Sequence, residues 1–199
     1  MKILLASVSL AAIAAASTAS AHVVLQKWEE NAGYKSFMTL VVPHGCGKSP
    51  TTEIRMKIPD GVNVVAPEPE AGWQVSVVRK KLDQPRAGEG GRPISEVIDE
   101  VVWTGGNLPT DHLARFDFLA LMPNTPGKVL YFKTIQKCAE GETRWVDTVP
   151  DNEPIWKVWA KAAPSPFVTL KEPAGPQLGA SMAEIGAERK KQGGGPPAQ

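Results

Sequence analysis

The chain has 199 residues, a length typical of one domain. Its 22 Lys and Arg residues against 21 Asp and Glu residues give a formal net charge of +1. This balance argues against a nucleic-acid-binding protein, which presents a basic face to phosphates. Three His and two Cys residues are too few for a zinc ribbon or a Cys-rich scaffold, whereas a hydrophobic content of 42% is sufficient for a core.

The first 21 residues have the features of a secretory signal peptide. Lys2 is followed by an apolar run over residues 3–16, and residues 19–21 read Ala-Ser-Ala, an A-x-A cleavage signature. We therefore expect cleavage after Ala21. No later segment has about 18 consecutive apolar residues, so we expect no membrane anchor and a mature protein in an extracytoplasmic compartment.

The mature chain is predicted to consist of about eight to ten short strands. Ile54, Met56 and Ile58 alternate with charged residues, which is the pattern of a strand with one buried face. Similar segments recur with turn residues every 8–12 positions, which is typical of a β-sandwich. The predicted strands lie within residues 22–28, 34–43, 51–59, 61–67, 72–82, 94–106, 112–123, 128–138, 143–150 and 165–173.

Two stretches and the C-terminus need separate interpretation. Residues 112–122 have Leu113, Phe116 and Leu119 at a helical spacing of three, but the alternation of Phe116, Phe118 and Ala120 favours a strand. The polar Gly/Pro-rich residues 83–93 are predicted to form a long hairpin tip. We predict one domain over residues 22–171 and a flexible Pro/Gly-rich tail over residues 172–199.

The two cysteines are predicted to pair. An extracytoplasmic compartment is oxidising, so Cys46 and Cys138 can form a disulfide that closes a long loop. The alternative is two free thiols. The chain has no G-x-S-x-G motif, and a cysteine in a disulfide cannot serve as a nucleophile, so the sequence gives little support to nucleophilic catalysis.

Cleavage after Ala21 places His22 at the new N-terminus. The free α-amine and the ring Nδ1 of such a residue can chelate one metal ion, and both groups lose their protons at little cost near neutral pH. All-nitrogen tetragonal ligation suits Cu(II) above other divalent ions. The alternative interpretation is that the cleavage site precedes a histidine with no metal role.

An ordered set of short motifs resembles the YcnI-like family of secreted bacterial copper-binding domains. The matching pieces are HV, AGY, VVPHGC, TT, IPDGV, EAGWQV, EVVWTGG, KVLYFKTIQKC and GETRW, and together they cover roughly residues 22–170. The HGC with a later QKC is similar to the proteobacterial branch. The resemblance implies a β-sandwich, cupredoxin-like or immunoglobulin-like in outline. Some family members carry a C-terminal membrane helix; since this sequence shows none, we expect the protein to lie free in the periplasm.

The resemblance also implies one Cu(II) ion held by His22 through its amine and imidazole, a one-histidine version of the histidine brace. Some relatives have an acidic ligand just after the VP motif, where this chain has Pro43 and His44. We expect His44 to replace that carboxylate. The family's tryptophan near the copper corresponds to Trp145, which we interpret as a wall that shields the metal. Family members often occur beside copper transporters and copper chaperones, which are the expected partners.

Other candidate residues have more ordinary interpretations. His112, the neighbouring pair Glu29 and Glu30, and Asp147 are each interpreted chiefly as solvated surface groups, with metal ligation as the alternative. The remaining tryptophans are interpreted as core or edge packing. These are Trp28, Trp73, Trp103, Trp156 and Trp159.

Three functions follow from this sequence. The first is a copper-binding protein that holds the metal for delivery or homeostasis and catalyses no reaction. The second is a copper oxidase or monooxygenase with a histidine brace that acts on a polysaccharide. The third is a secreted sandwich for adhesion or assembly, in which His22 is incidental.

Overall fold

The computed structural model describes residues 22–88 and 92–174. Nearly all regular structure in this part is β-strand, and one short 3₁₀ helix covers Ile155–Ala160. The strands, in chain order, are β1 Val24–Leu25, β2 Glu29–Asn31, β3 Lys35–Val42, β4 Thr51–Lys57, β5 Val65–Pro67, β6 Gln74–Ala87, β7 Pro93–Leu108, β8 Ala114–Leu121, β9 Val129–Tyr131, β10 Thr134–Cys138, β11 Glu142–Trp145 and β12 Phe167–Lys171.

The strands form three sheets. One sheet has the order β1-β3-β8-β5, a second has the order β11-β10-β4-β7-β6, and a small third sheet has the order β2-β12-β9. All pairs are antiparallel except β12 with β2. Because most neighbours are antiparallel, each large sheet can bury one face and leave the other towards solvent.

The core lies between the inner faces of the two large sheets. Leu40 of β3 and Phe116 of β8 come from one sheet, and Ile54 of β4 and Trp103 of β7 come from the other, all of them inaccessible to solvent. The rings of Trp103 and Phe116 lie 5.1 Å apart between centroids, a distance typical of packed aromatic pairs. The prediction of an all-β sandwich is therefore confirmed, and β8 confirms the strand interpretation of residues 112–122.

The pairing of β1 with β3 brings two distant parts of the chain together. Val24 pairs with Val41, and Leu25 pairs with Leu40, in antiparallel register. His22 precedes β1 by two residues and His44 follows β3 by two residues. Both histidines therefore lie at the same end of this strand pair.

Three local predictions differ from the structure. The predicted strand over residues 128–138 is divided into β9 and β10, which belong to different sheets. The predicted hairpin is present, since β6 and β7 are antiparallel neighbours, but the two strands extend into residues 83–93, where Ala87 pairs with Pro93. Both faces of that ribbon are mostly exposed, so its strands lack the alternation that identifies a half-buried strand. The 3₁₀ helix follows Pro154 and was not predicted, because six residues are too few for a helical repeat.

The disulfide prediction is confirmed. Cys46 and Cys138, which are 92 positions apart in sequence, form a disulfide bond, and their Cα atoms lie 6.1 Å apart. The bond connects the turn after β3 to the end of β10. It therefore ties a loop at the His44 end of the molecule to the second large sheet.

Two predicted segments fall on residues that are not described. The predicted signal peptide, residues 1–21, lies outside the described residues, and so does the predicted tail after residue 174. In residues 22–88 and 92–174, no helix has the length and apolar character needed to cross a bilayer.

Candidate metal centre

The ring of His22 lies between two tryptophans. Its centroid is 5.7 Å from that of Trp145, in an edge-on arrangement with 65° between the ring planes. The indole of Trp159 lies 5.8 Å away on a nearly parallel plane, at 13°. Val23, the next residue, is buried in the core and fixes the chain close to these rings. The predicted N-terminal residue of the mature protein is thus held against an aromatic wall.

The side chain of Trp145 is held in place by burial and by a hydrogen bond. It ends β11, is only 4% exposed and packs in the main core. Its indole Nε1–H donates a hydrogen bond to Oε1 of Gln136, with 2.9 Å between the two atoms. Because a buried indole N–H needs an acceptor, this bond sets the orientation of the ring that faces His22. The structure therefore brings together His22 and Trp145, two residues that the family resemblance singled out.

Trp159 is a site residue that the sequence analysis missed. It lies on the 3₁₀ helix and packs on Phe167 at 5.6 Å between ring centroids. A small second core, formed by Val149, Val158 and Phe167, supports this helix. The sequence analysis assigned Trp159 to ordinary packing, because nothing local to residues 155–160 relates it to His22.

His44 is half-buried in the turn after β3. Its ring Nδ1 lies 2.5 Å from the carbonyl oxygen of Gly45. A carbonyl oxygen only accepts, so Nδ1 carries the proton in this contact. In the neutral ring, Nε2 is then the nitrogen with a lone pair, which is the usual arrangement of a metal-binding histidine whose other nitrogen donates to a carbonyl.

Gln136 links His44 to Trp145. Its side chain is 1% exposed, its Nε2 donates to the carbonyl oxygen of His44 at 2.7 Å and to Oγ1 of Thr51 at 2.8 Å, and its Oε1 accepts from Trp145. Gln136 was not among the candidate residues indicated by the sequence. A signal was present, since the residue occupies an inward position of β10 between buried Thr134 and Cys138, where a polar side chain needs buried partners.

In the described ranges 22–88 and 92–174, no three His, Cys, Asp or Glu side chains are grouped so as to hold a metal ion. Cleavage after Ala21 would add a main-chain nitrogen, the α-amine of His22, to the available groups. The candidate nitrogen ligands are then the amine and ring of His22 and Nε2 of His44, two residues that lie at the same end of β1 and β3. Such a nitrogen set suits Cu(II).

The acidic residues considered as further ligands have other partners. Glu29 pairs with Lys171 at 3.2 Å, and the Glu30 carboxylate accepts hydrogen bonds from Lys27 and from Ser36. The Glu29 side chain is 60% exposed, in agreement with its interpretation as a solvated surface group, whereas the Glu30 side chain is only 12% exposed.

Asp147 has a structural partner as well. Its Oδ2 accepts a hydrogen bond from the backbone N–H of Ala163, 3.0 Å away, and its backbone N–H donates to the Ala163 carbonyl. The main-chain oxygen of Asp147 accepts from the N–H of Ser165. Asp147 thus holds the segment that follows the 3₁₀ helix, which carries Trp159.

His112 lies on the surface, 67% exposed in its side chain, with Nδ1 2.7 Å from a carboxylate oxygen of Asp111. This hydrogen bond is the main reason that the pKa of Asp111 lies below its ordinary value. This exposure and this partner agree with the interpretation of His112 as a solvated surface group.

The other tryptophans divide into two groups. Trp103 is fully buried and Trp73 packs against the main core, as predicted. Trp28 and Trp156 are 57% and 65% exposed, so they are not core residues. The indole of Trp28 lies 5.8 Å from that of Trp159, which extends the aromatic surface from His22 to the solvent.

Comparisons with known proteins agree with this architecture. Residues 22–170 match the family model described as "Domain of unknown function (DUF1775)". Among solved structures, the chain is similar to an uncharacterised protein from Nocardia farcinica with an immunoglobulin-like fold. The TM-score is 0.53 at 23% identity, over 75% of this chain and 98% of that one. A search of curated proteins finds no match.

Proposed function

We propose a function from the premise that this chain belongs to the DUF1775 family, the family of the YcnI-like proteins: it is a periplasmic copper-binding protein. In this proposal, the mature chain begins at His22 and holds one Cu(II) ion through the α-amine and imidazole of that residue. In the same proposal, the chain is a member of the proteobacterial branch of the family, which its HGC and QKC motifs resemble. Its role is copper delivery or homeostasis, and it catalyses no reaction.

One observation carries this proposal: the His22 ring is stacked on Trp159 and contacts the edge of Trp145. A flexible N-terminus would have to be ordered at the moment of binding, at a cost in conformational entropy. Here the ring is already packed, so the chelating residue is preorganised. The metal ion, when bound, supplies a Lewis-acidic centre that the two indoles partly shield from water.

The surroundings of His44 support its role as a second histidine ligand. Its Nδ1 faces the Gly45 carbonyl and its backbone is bonded to Gln136, so the turn holds the ring in a defined orientation. A ligand ring with a hydrogen-bonded second nitrogen is favoured at metal sites. Three nitrogens from His22 and His44 would satisfy most of a tetragonal Cu(II) shell.

A copper site near exposed aromatic residues would also suit exchange of the metal with another protein. Trp28 and Trp156 are exposed, and Trp28 contacts Trp159. Periplasmic copper chaperones and membrane copper transporters are the proposed partners. Exposed tryptophans are frequent among the residues that dominate protein interfaces.

The first test is a titration of the mature protein, residues 22–199, with Cu(II), followed by EPR spectroscopy. We expect one equivalent to give a nitrogen-rich type 2 spectrum and to quench tryptophan fluorescence, because two indoles lie beside His22. The absence of such a signal at one equivalent would refute the copper proposal. Peroxide-dependent release of oxidised oligosaccharides by the loaded protein would instead support an oxidase.

The second test concerns His44. We expect His44→Ala to lower Cu(II) affinity by about tenfold or more and to remove one nitrogen from the hyperfine pattern, because a ligand is lost. His112→Ala is the matched control, since it removes an exposed histidine that is bonded to Asp111. An unchanged spectrum for His44→Ala would exclude His44 from the site.

A further inference from the structure

The amide of Gln136 lies in the core between two parts of the proposed copper site. Both its nitrogen and its oxygen have partners within 2.9 Å: the His44 carbonyl, the Thr51 hydroxyl and the Trp145 indole. The side chain is 1% exposed, so no bulk water can replace a missing partner. Leaving a buried donor or acceptor unpaired is more costly than the bond itself is favourable.

A primary amide is required at this position by the chemistry of its partners. The His44 carbonyl needs a donor, whereas the Trp145 indole N–H needs an acceptor. A carboxylate only accepts and an ammonium only donates, so neither could serve both. Only a neutral group that both donates and accepts can connect the turn after β3 to the ring at the end of β11.

We propose that Gln136 is a positioning residue for the copper site, an inference that rests on the proposed function. It holds the His44 turn and the Trp145 ring at a fixed separation. Because Trp145 contacts His22, this bridge also sets the His44 turn relative to the N-terminal chelate. Gln136 touches no metal ligand atom itself; it acts through the backbone of one ligand residue and the indole beside the other.

The disulfide makes this role separable from folding. Cys46 follows His44 by two positions and Cys138 follows Gln136 by two positions, so β10 holds the turn at two neighbouring points. When the amide bridge is removed, the covalent bond still attaches the turn to β10. A substitution at Gln136 should therefore change how His44 is oriented without releasing the whole loop.

The experiment compares Gln136→Met with Thr51→Val in the mature protein. Gln136→Met keeps a similar volume but removes all three hydrogen bonds, and we expect Cu(II) affinity to fall about 10–100-fold with an altered nitrogen hyperfine pattern. Thr51→Val is the control, because it removes a buried partner of Gln136 but leaves the His44 and Trp145 bonds. It should lower the melting temperature while the copper spectrum stays unchanged.

A metal-free measurement accompanies the titration. Hydrogen exchange at the Trp145 indole N–H should be slow in the wild-type protein and fast in Gln136→Met, whereas the Trp103 indole, bonded to the Glu68 carbonyl, should remain slow in both. If Gln136→Met fails to fold, Gln136→Asn replaces it. That variant keeps a primary amide but shortens the side chain by one methylene, so it cannot reach both the His44 carbonyl and the Trp145 indole, and the same loss of affinity is expected.

The outcomes distinguish this inference from the proposed function. If the wild-type protein binds no Cu(II), both are overturned. If the wild-type protein binds Cu(II) and the Gln136 variants bind it with the same affinity and spectrum, the positioning role alone is overturned. An equal change in the spectra of Thr51→Val and Gln136→Met would also overturn it, because a general loss of core packing would then explain both.

Discussion

A mature protein with one extra residue before His22 is expected to lose tight Cu(II) binding. The added residue converts the α-amine of His22 into an amide, which removes one ligand and the chelate ring that it forms with Nδ1. We expect affinity to fall at least about a hundredfold, equivalent to about 2.8 kcal/mol. Competition with a copper chelator of known affinity would measure this change.

The folded state should be little affected by this extension. Val23 is buried and the His22 ring packs on Trp145 and Trp159, and none of these contacts involves the added residue. The melting temperature of the metal-free protein should therefore remain close to that of the wild type. The same residue added after Gln199 is the control and should leave copper affinity unchanged. Equal affinities for the two extended proteins would contradict the chelate mechanism.

Removal of the disulfide should cause the largest loss of stability. In the chain-entropy model, a bond across 92 positions stabilises the folded state by about 4–5 kcal/mol. The double variant Cys46→Ser/Cys138→Ser should therefore melt roughly 8–20 °C below the wild-type protein. Thermal unfolding followed by circular dichroism would measure the difference, and the double change avoids a lone reactive thiol.

The wild-type protein under reducing conditions serves as the control for this variant. Since both lack the covalent bond, they should melt at similar temperatures. The serine variant also keeps side chains of nearly the same size beside Thr51 and Gln136, so the polar cluster should survive. A fall of less than about 3 °C would indicate that the unfolded chain gains little freedom when the bond is absent.

Much of the fold was predictable because it depends on local patterns. The alternation of Ile54 and Met56 with charged residues identifies β4, and that of Phe116 and Phe118 identifies β8. Each pattern reflects a strand with one face in the core, which a short window of sequence records. The disulfide was also predictable, since two cysteines allow one intramolecular pairing.

The change of sheet within residues 128–138 was not predictable in this way. Phe132 and Thr134 are both fully buried, and the chain passes between β9 and β10 at this point. The Thr134 hydroxyl donates a hydrogen bond to the Phe132 carbonyl, so this carbonyl has a partner between the end of β9 and the start of β10. Apolar residues continue from β9 into β10. Their periodicity therefore does not indicate that the two strands belong to different sheets.

The site shows the same division. The N-terminal cleavage pattern indicated His22 as the candidate chelating residue, and motif resemblance indicated His44 and Trp145 as candidates beside it. Trp159 and Gln136 emerged only with the tertiary structure, because their partners lie far away in sequence: Trp159 contacts His22, and Gln136 is bonded to His44 across 92 positions. Local sequence patterns indicate which residues are buried and which histidine nitrogens are candidate metal ligands. The packing of separate strands decides which side chains orient those nitrogens, because these contacts form only when distant segments meet.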